Sequence, residues 1–376
     1  MTGSGFQGLD QLLRERIEVD GAIPGAVVLV RKGEEILFHE AYGNRQRIPA
    51  LRPMQRDTVF DLASLTKPVA TALCTQLLWQ QGGMDPDDRL ERHLGPLNDA
   101  AKRGINIRHL LSHCSGLPAW RPFYQNFPEP GRGIDAEAII GRVLEEPLEA
   151  LPGEKEIYSD LGFILLGRAL EAVAGSPLDR LFEDRISRPL GLVQTGYRRL
   201  GKAPEQGAPG ADGNIAATEL CPWRRRILVG EVHDENAYVM GGVSGHAGLF
   251  STCADLDRIV REVFRGSRGS SELFHREGVR TFLKRQDRLP GATWALGWDT
   301  PSLQHSAAGR YFSRNSFGHN GFTGTSLWMD LDRELAVVLL TNRVHPDRGN
   351  LAIRELRPQV HDAVMEELLP PERAAR

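Results

Sequence analysis

Apolar positions Leu9, Leu12, Leu13 and Ile17 recur at helical spacing, which predicts an amphipathic helix over 9–17. Residues 26–31 and 36–42 read as two strands joined through Lys32-Gly33-Glu34. In the apolar run 69–79, Val69, Ala72, Leu73, Gln76 and Leu77 fall on one helical face. The middle third is helical and loop-rich. Helices are expected over 135–144, Asp160–Ala174 and 177–186, with Asp135 and Asp160 as candidate N-caps. The Pro/Gly/Ala-rich stretch 204–213 predicts a loop free to move, and helices return over 255–264 and 272–284. The last third turns to strands, Ser316–Asn320, 325–330 and Leu335–Thr341, with Leu331-Asp332-Arg333-Glu334 as a hairpin turn. A helix over 351–368 closes the chain. Strands at both ends around a helical middle make this an α+β chain without repeats or low-complexity tracts.

At 376 residues the chain exceeds the usual span of one compact core, so two packed subdomains are expected. The division falls at 1–60 plus 290–376 for the sheet part and 61–289 for the helical part. Hydrophobic residues at 41% and charged residues at 25% describe an ordinary globular protein. The net charge of -3 gives no electrostatic case for nucleic acid. The densest basic patch, Arg224-Arg225-Arg226, reads as a solvated loop. The N-terminus lacks a basic segment followed by an apolar core, and no apolar run is long enough to span a bilayer. Cys74, Cys114, Cys221 and Cys253 are scattered without a C-x-x-C pair, so free thiols, no zinc site and a cytoplasmic location are expected.

Ser64-Leu65-Thr66-Lys67 stands just ahead of the apolar run 69–79. A serine in the first helical turn lies near unpaired N–H groups, and a lysine three residues on shares its face. A hydroxyl needs a base to attack, and a desolvated lysine, deprotonated more readily, can serve. By itself the pattern is weak, because a chain this long holds one S-x-x-K by chance about once. Two later segments change that weight. Tyr158-Ser159-Asp160 opens another apolar helix, and Gly318-His319-Asn320-Gly321-Phe322-Thr323-Gly324-Thr325 precedes a strand.

In this order the chain resembles the serine β-lactamase and penicillin-binding protein superfamily. It is most similar to the class C-related branch, which also holds esterases, D-aminopeptidases and D,D-carboxypeptidases. Pro24 to Val30 with Ala41-Tyr42-Gly43, Leu110 to Leu117, and Gly245 to Thr252 resemble further segments of that family. The resemblance implies one antiparallel sheet built from N- and C-terminal strands, with terminal helices on one face and the helical part on the other. It implies acyl transfer through an acyl-enzyme on Ser64, with Lys67 and Tyr158 sharing the base role as a coupled pair. The oxyanion would sit between the backbone N–H groups of Ser64 and Phe322. Asp160, His319, Asn320 and Gly321 would line the substrate site, Gly321 leaving room for substrate beside the strand.

Two departures shape the substrate expectation. β-Lactamases usually carry a lysine where this chain has His319, and a histidine there would be charged only below about pH 6.5. Asp160 stands where many relatives have asparagine. It cannot donate to a substrate amide, and it either adds negative charge near the acyl group or caps the helix. Both favour small esters or amides over efficient penicillin turnover. The alternatives are a D,D-carboxypeptidase or D-aminopeptidase acting on cell-wall peptides, a weak β-lactamase, or a non-catalytic binding protein or scaffold. No cofactor is implied, and oligomeric state is left open. His109 and His113 stand at i, i+4 without a zincin glutamate and read as packing and loop bracing. His233-Asp234-Glu235 and His246 form a polar cluster read as a loop network, and Gly241 to Gly245 lacks the context of a phosphate cradle.

Overall fold

Alternation along the strands decides how the layers stack. The computed structural model describes residues 5–127, 135–201 and 209–369. Strands β1 (Gly25–Lys32), β2 (Glu35–Gln46), β3 (Arg52–Pro53), β4 (Ser316–Asn320), β5 (Ser326–Asp330) and β6 (Leu335–Thr341) form one sheet. Its order is β3-β2-β1-β6-β5-β4 with every pair antiparallel. Val28 thus faces Leu339 on one side and Glu40 on the other. Successive side chains point to opposite faces. Val27, Leu29, Val338 and Leu340 join the core shared with the helical part. Ala26, Val28, Val30, Val337 and Leu339 pack under the terminal helices Gln7–Leu13 and Ile353–Leu368. Covered on both faces, β1 and β6 read as nearly unbroken apolar runs.

The helical part carries its core around the run that follows Ser64. A 3₁₀ turn, Ala63–Leu65, leads through a π-helical turn, Lys67–Ala72, into the α-helix Leu73–Gln80. This segment was expected to bury one face. Instead Val69, Ala70, Ala72, Leu73, Cys74, Leu77 and Leu78 are all buried, because neighbours surround it. The helix Asp160–Ala174 packs beside it and ends at Gly175 in the left-handed conformation. Gly245 touches that helix where a Cβ would collide with the Phe163 carbonyl.

Most expected elements appear, with local corrections. Asp135 caps its helix by accepting from Ala138 N at 2.9 Å. Asp160 does not cap: Ser159 Oγ accepts from Gly162 N at 3.1 Å instead. The helix expected from 272 starts at Arg276, because Ser271 Oγ takes the N–H groups of Leu273 and Phe274 and holds them in a turn. Arg224 is no solvated side chain; it is buried, bonds the carbonyls of Val232 and His233, and lies 4.1 Å from the Tyr238 ring centroid. Residues 204–208 of the Pro/Gly/Ala-rich stretch lie outside the described residues. Cys74, Cys114, Cys221 and Cys253 are buried and unpaired. Among the described residues no single helix is long and apolar enough to cross a membrane.

One buried ion pair joins the layers. Arg31 on β1 makes a two-pronged contact with Asp257 of the helix Cys253–Arg268, with Nη2 2.7 Å from Oδ2 and both side chains almost fully enclosed. Removing one partner strands a buried charge, so Arg31→Met should lower unfolding free energy by about 3–5 kcal/mol. The double change Arg31→Met with Asp257→Leu should recover most of that loss. Urea denaturation checks both; equal stability of the single and double variants contradicts the expectation.

Candidate active site

Ser64 is held by the chain just before it. The short strand Phe60–Asp61 pairs with Leu249–Ser251, and Asp61 then turns the chain. Its buried carboxylate accepts from Ala63 N at 2.9 Å and from His233 N at 2.6 Å. Ala63 adopts φ 47°, a region that L-residues enter at a cost, so the turn is held by its surroundings. Ser64 follows in the first helical turn. Its N–H has no acceptor among the described residues.

Lys67, one turn on, is fully buried. Its Nζ lies 2.9 Å from Ser64 Oγ, 2.6 Å from Asp160 Oδ1 and 3.3 Å from the His246 carbonyl, and 4.8 Å from the Tyr158 ring centroid. Desolvation was expected to free its lone pair. Burial does push the ammonium toward losing its proton, but Asp160 and Tyr158 more than offset this, and its pKa is raised. At rest Lys67 is therefore the cation of a buried pair. Tyr158 is half-buried, and its phenol is electrostatically coupled to Lys67, whose ammonium faces the ring. Burial raises its phenol above the usual value although Lys67 pulls the other way. Neither group is a free base by itself, and the proton belongs to the coupled set.

Asp160 is thus the partner of Lys67 rather than a helix cap. It stands in the first turn of its helix, where the dipole favours a negative charge. The expected bracing by histidines is present. His113 is buried, accepts from Ser159 N through Nδ1 at 3.0 Å, and packs 4.6 Å from the Tyr158 ring and 4.4 Å from Trp294. His109 completes a capping box with Asn106.

The strand β4 supplies the opposite wall. His319 is only 2% exposed, and its Nδ1 donates to the Asn320 carbonyl at 2.8 Å. Burial, reinforced by the Lys67 charge, pushes it down to about 3. The expectation of a histidine cation at mildly acidic pH fails, because the ring is enclosed beside an existing ammonium. Asn320 lines the cleft, and its Oδ1 accepts from Trp328 Nε1 at 3.2 Å. Gly321 was expected to leave room for substrate. The room is taken by protein: a Cβ there would collide with Thr325 Oγ1 and the Leu62 carbonyl. Thr325 Oγ1 bonds that carbonyl at 2.9 Å, and Thr323 Oγ1 bonds the Asp61 carbonyl at 2.8 Å. These two bonds fix the strand turn against the loop that carries Ser64. The Phe322 N–H, like that of Ser64, has no acceptor among the described residues.

The expected residues meet at one cleft of about 560 Å³, which Ser64, Tyr158, Asp160, His319, Asn320, Gly321 and Phe322 line. Lys67 lies just beneath. His233, Asp234, Glu235 and His246 line it too, and so do Trp120, Trp294 and four arginines, Arg343, Arg348, Arg354 and Arg357, which were not anticipated. The arginines recur within fifteen positions, a charge pattern that could have marked them. Arg348 is neutralised by Glu219 and Glu235, and Arg343 bonds the carbonyls of Phe322, Arg348 and Asn350. Arg354 has no side-chain partner among the described residues and is exposed at the cleft. The expected loop network is also real. His246 Nε2 lies 2.9 Å from Asp234 Oδ1, and His233 Nε2 lies 3.0 Å from Glu219. Burial works to raise the Glu219 carboxyl, but His233 and Arg348 hold it down to about 2.

The family model described as Beta-lactamase matches residues 9–361. A curated relative from Escherichia coli (strain K12), named "Putative D-alanyl-D-alanine carboxypeptidase", is 34% identical over 359 residues, covering 87% of this chain and 80% of its own. One of the same name from Salmonella typhi is 32% identical, over 89% of this chain and 82% of its own. Among solved structures, EstCE1, described as a hydrolase with promiscuous acyltransferase activity, aligns with TM-score 0.70 at 24% identity, over 96% of this chain and 99% of its own. Simvastatin synthase (LovD) from Aspergillus terreus aligns with TM-score 0.72 at 20% identity, over 96% and 97%. Those two likenesses establish the shared fold.

Asp160→Asn removes the carboxylate that raises Lys67, so the acid limb of the kcat/KM profile should move to lower pH. At the foot of that limb, rate relative to the plateau should rise. An unmoved limb contradicts the assignment of Asp160 to Lys67. For His319, imidazole resonances followed by NMR should show no titration between about pH 5 and 8, since its reference value of about 6.5 has been pushed below that window. An inflection in that window contradicts a neutral ring.

Proposed function

The chain belongs to the Beta-lactamase family and is a serine hydrolase of that family; we propose that it acts on small esters or amides through a covalent acyl-enzyme on Ser64. One observation carries the reading. Ser64 Oγ lies 2.9 Å from Lys67 Nζ in a cleft where the N–H groups of Ser64 and Phe322 both lack acceptors among the described residues. Such unpaired donors suit the charge that develops on a carbonyl oxygen during acyl transfer. In the reactive form the Tyr158–Lys67 pair has first given one proton to water; as Ser64 Oγ attacks, its proton fills that place and a tetrahedral oxyanion forms. Collapse breaks the bond to the leaving group, which takes that proton. Water then attacks the acyl carbon and gives a proton to the same pair, which passes it to Ser64 Oγ as the acyl bond breaks, releasing the acid and the free serine. Asp160 keeps the lysine charged at rest, so the pair returns to the same state after each cycle.

A second reading, a D,D-carboxypeptidase, is favoured by Arg354. It is a cation at the cleft without a side-chain partner among the described residues, placed to take a carboxylate that the neutral His319 cannot hold. The names of the two curated relatives agree with it.

Incubation with p-nitrophenyl acetate and butyrate, followed by mass spectrometry, tests the first reading. A burst with an acyl adduct on Ser64 is expected, and Ser64→Ala should abolish both. Turnover retained by that variant overturns the assignment. A peptide ending in D-Ala-D-Ala compared with its C-terminal amide tests the second. The acid should be preferred about tenfold, the scale of one charge-assisted hydrogen bond, and Arg354→Gln should remove the preference. Equal rates for acid and amide leave the ester reading alone.

A further inference from the structure

The N–H of Phe322 shares one peptide plane with the carbonyl of Gly321. In a trans peptide the two point in opposite directions, so whatever holds the carbonyl aims the N–H. Arg357, on the terminal helix, donates through Nη2 to Gly321 O at 2.7 Å and to Thr325 O at 3.0 Å. Gly324 N adds a bond to the same Gly321 oxygen at 3.1 Å.

We infer that Arg357 is a positioning residue of the oxyanion site, which aims and polarises the Phe322 N–H by bonding the Gly321 carbonyl from behind. The inference rests on the acyl-enzyme reading of Ser64. A charged donor on a carbonyl makes a stronger bond than a neutral one and polarises the peptide, leaving its N–H a better donor. Arg357 has no carboxylate partner among the described residues, and its buried Nε is unpaired. Burial and the nearby Arg343 both work against its charge. A guanidinium nonetheless stays protonated. The negative charge that would best compensate it is the one that develops on the reacting carbonyl, on the other side of that peptide. The cation therefore favours the transition state more than the neutral ground state. The terminal helix thus contributes to the chemistry of a serine nearly three hundred residues earlier.

The test compares wild type, Arg357→Gln and Arg357→Lys on p-nitrophenyl butyrate, a neutral ester chosen so that attraction of an anionic substrate does not enter. Each rate is divided by active sites titrated with a fluorophosphonate, so that unfolded protein does not count. Arg357→Gln should lower kcat about 10- to 100-fold with KM within about twofold, on the scale of weakening or losing one oxyanion donor. Affinity for an alkylboronic acid, whose adduct on serine mimics the tetrahedral state, should fall in parallel. Arg357→Lys keeps the charge but not the fork, and should lose about two- to tenfold in the same two quantities. The proposal is overturned by a loss confined to KM or by an unchanged kcat in Arg357→Gln. An unchanged kcat in Arg357→Lys overturns it too, if the glutamine variant gives no titratable sites. A wild type that titrates no serine at all would instead mark failure of the acyl-enzyme reading.

Discussion

A fully buried ammonium is the constraint around which the site is built. Lys67 has no contact with water, so its charge must be met by protein. Asp160 meets it directly, the Tyr158 ring faces it, and the His246 carbonyl and Ser64 hydroxyl take up its remaining donors. These groups come from three parts of the chain: Ser64 one turn before the lysine, Tyr158 and Asp160 at the start of another helix, and His246 far downstream. The same charge explains two properties of its neighbours. It keeps His113 and His319 neutral in addition to their burial, and it opposes the rise that burial imposes on the Tyr158 phenol. Lys67, Asp160, Tyr158, His113 and His319 therefore have to be understood as one electrostatic unit.

The proposed acyl transfer also needs two backbone donors from distant segments to point at one spot. The sheet provides the frame. Strand β4 lies at its edge, and the turn after it is stitched to Asp61 and Leu62 by two threonine hydroxyls. The carboxylate of Asp61 holds the turn into Ser64 from within. Gly321 is demanded by the closeness of that approach. Arg343 and Arg357 reach the same turn from the last part of the chain, through the carbonyls of Phe322 and Gly321. Sheet, nucleophile loop and terminal helix are consequently one mechanical unit at this point, although they are separate elements in sequence.

Much of this was legible beforehand because it is local or periodic. The strands β1 and β6 announce themselves as apolar runs, and the helix Asp160–Ala174 is bounded by capping serine and glycine. Ser64, Lys67, Tyr158 and the segment His319 to Phe322 were legible through motif order. What misled were groups whose role depends on a partner. Asp160 looks like a cap at the start of a helix, yet Ser159 does that work. His319 looks like a titrating cation, yet its ring is enclosed. Arg224 looks solvated as part of a basic triplet, yet it is a buried clamp on two carbonyls.

The sequence by itself determined the elements and the α+β class, because side-chain periodicity is a property of the chain alone, and its motif order singled out Ser64, Lys67 and Tyr158 as candidates. Only the tertiary structure decided which charges exist at the site and where the backbone donors point. A pKa is set by burial and by charges from other segments, and the aim of a peptide N–H is set by what holds its carbonyl. Asp160 on Lys67 and Arg357 on Gly321 join residues far apart in the chain, and no local pattern encodes such a meeting.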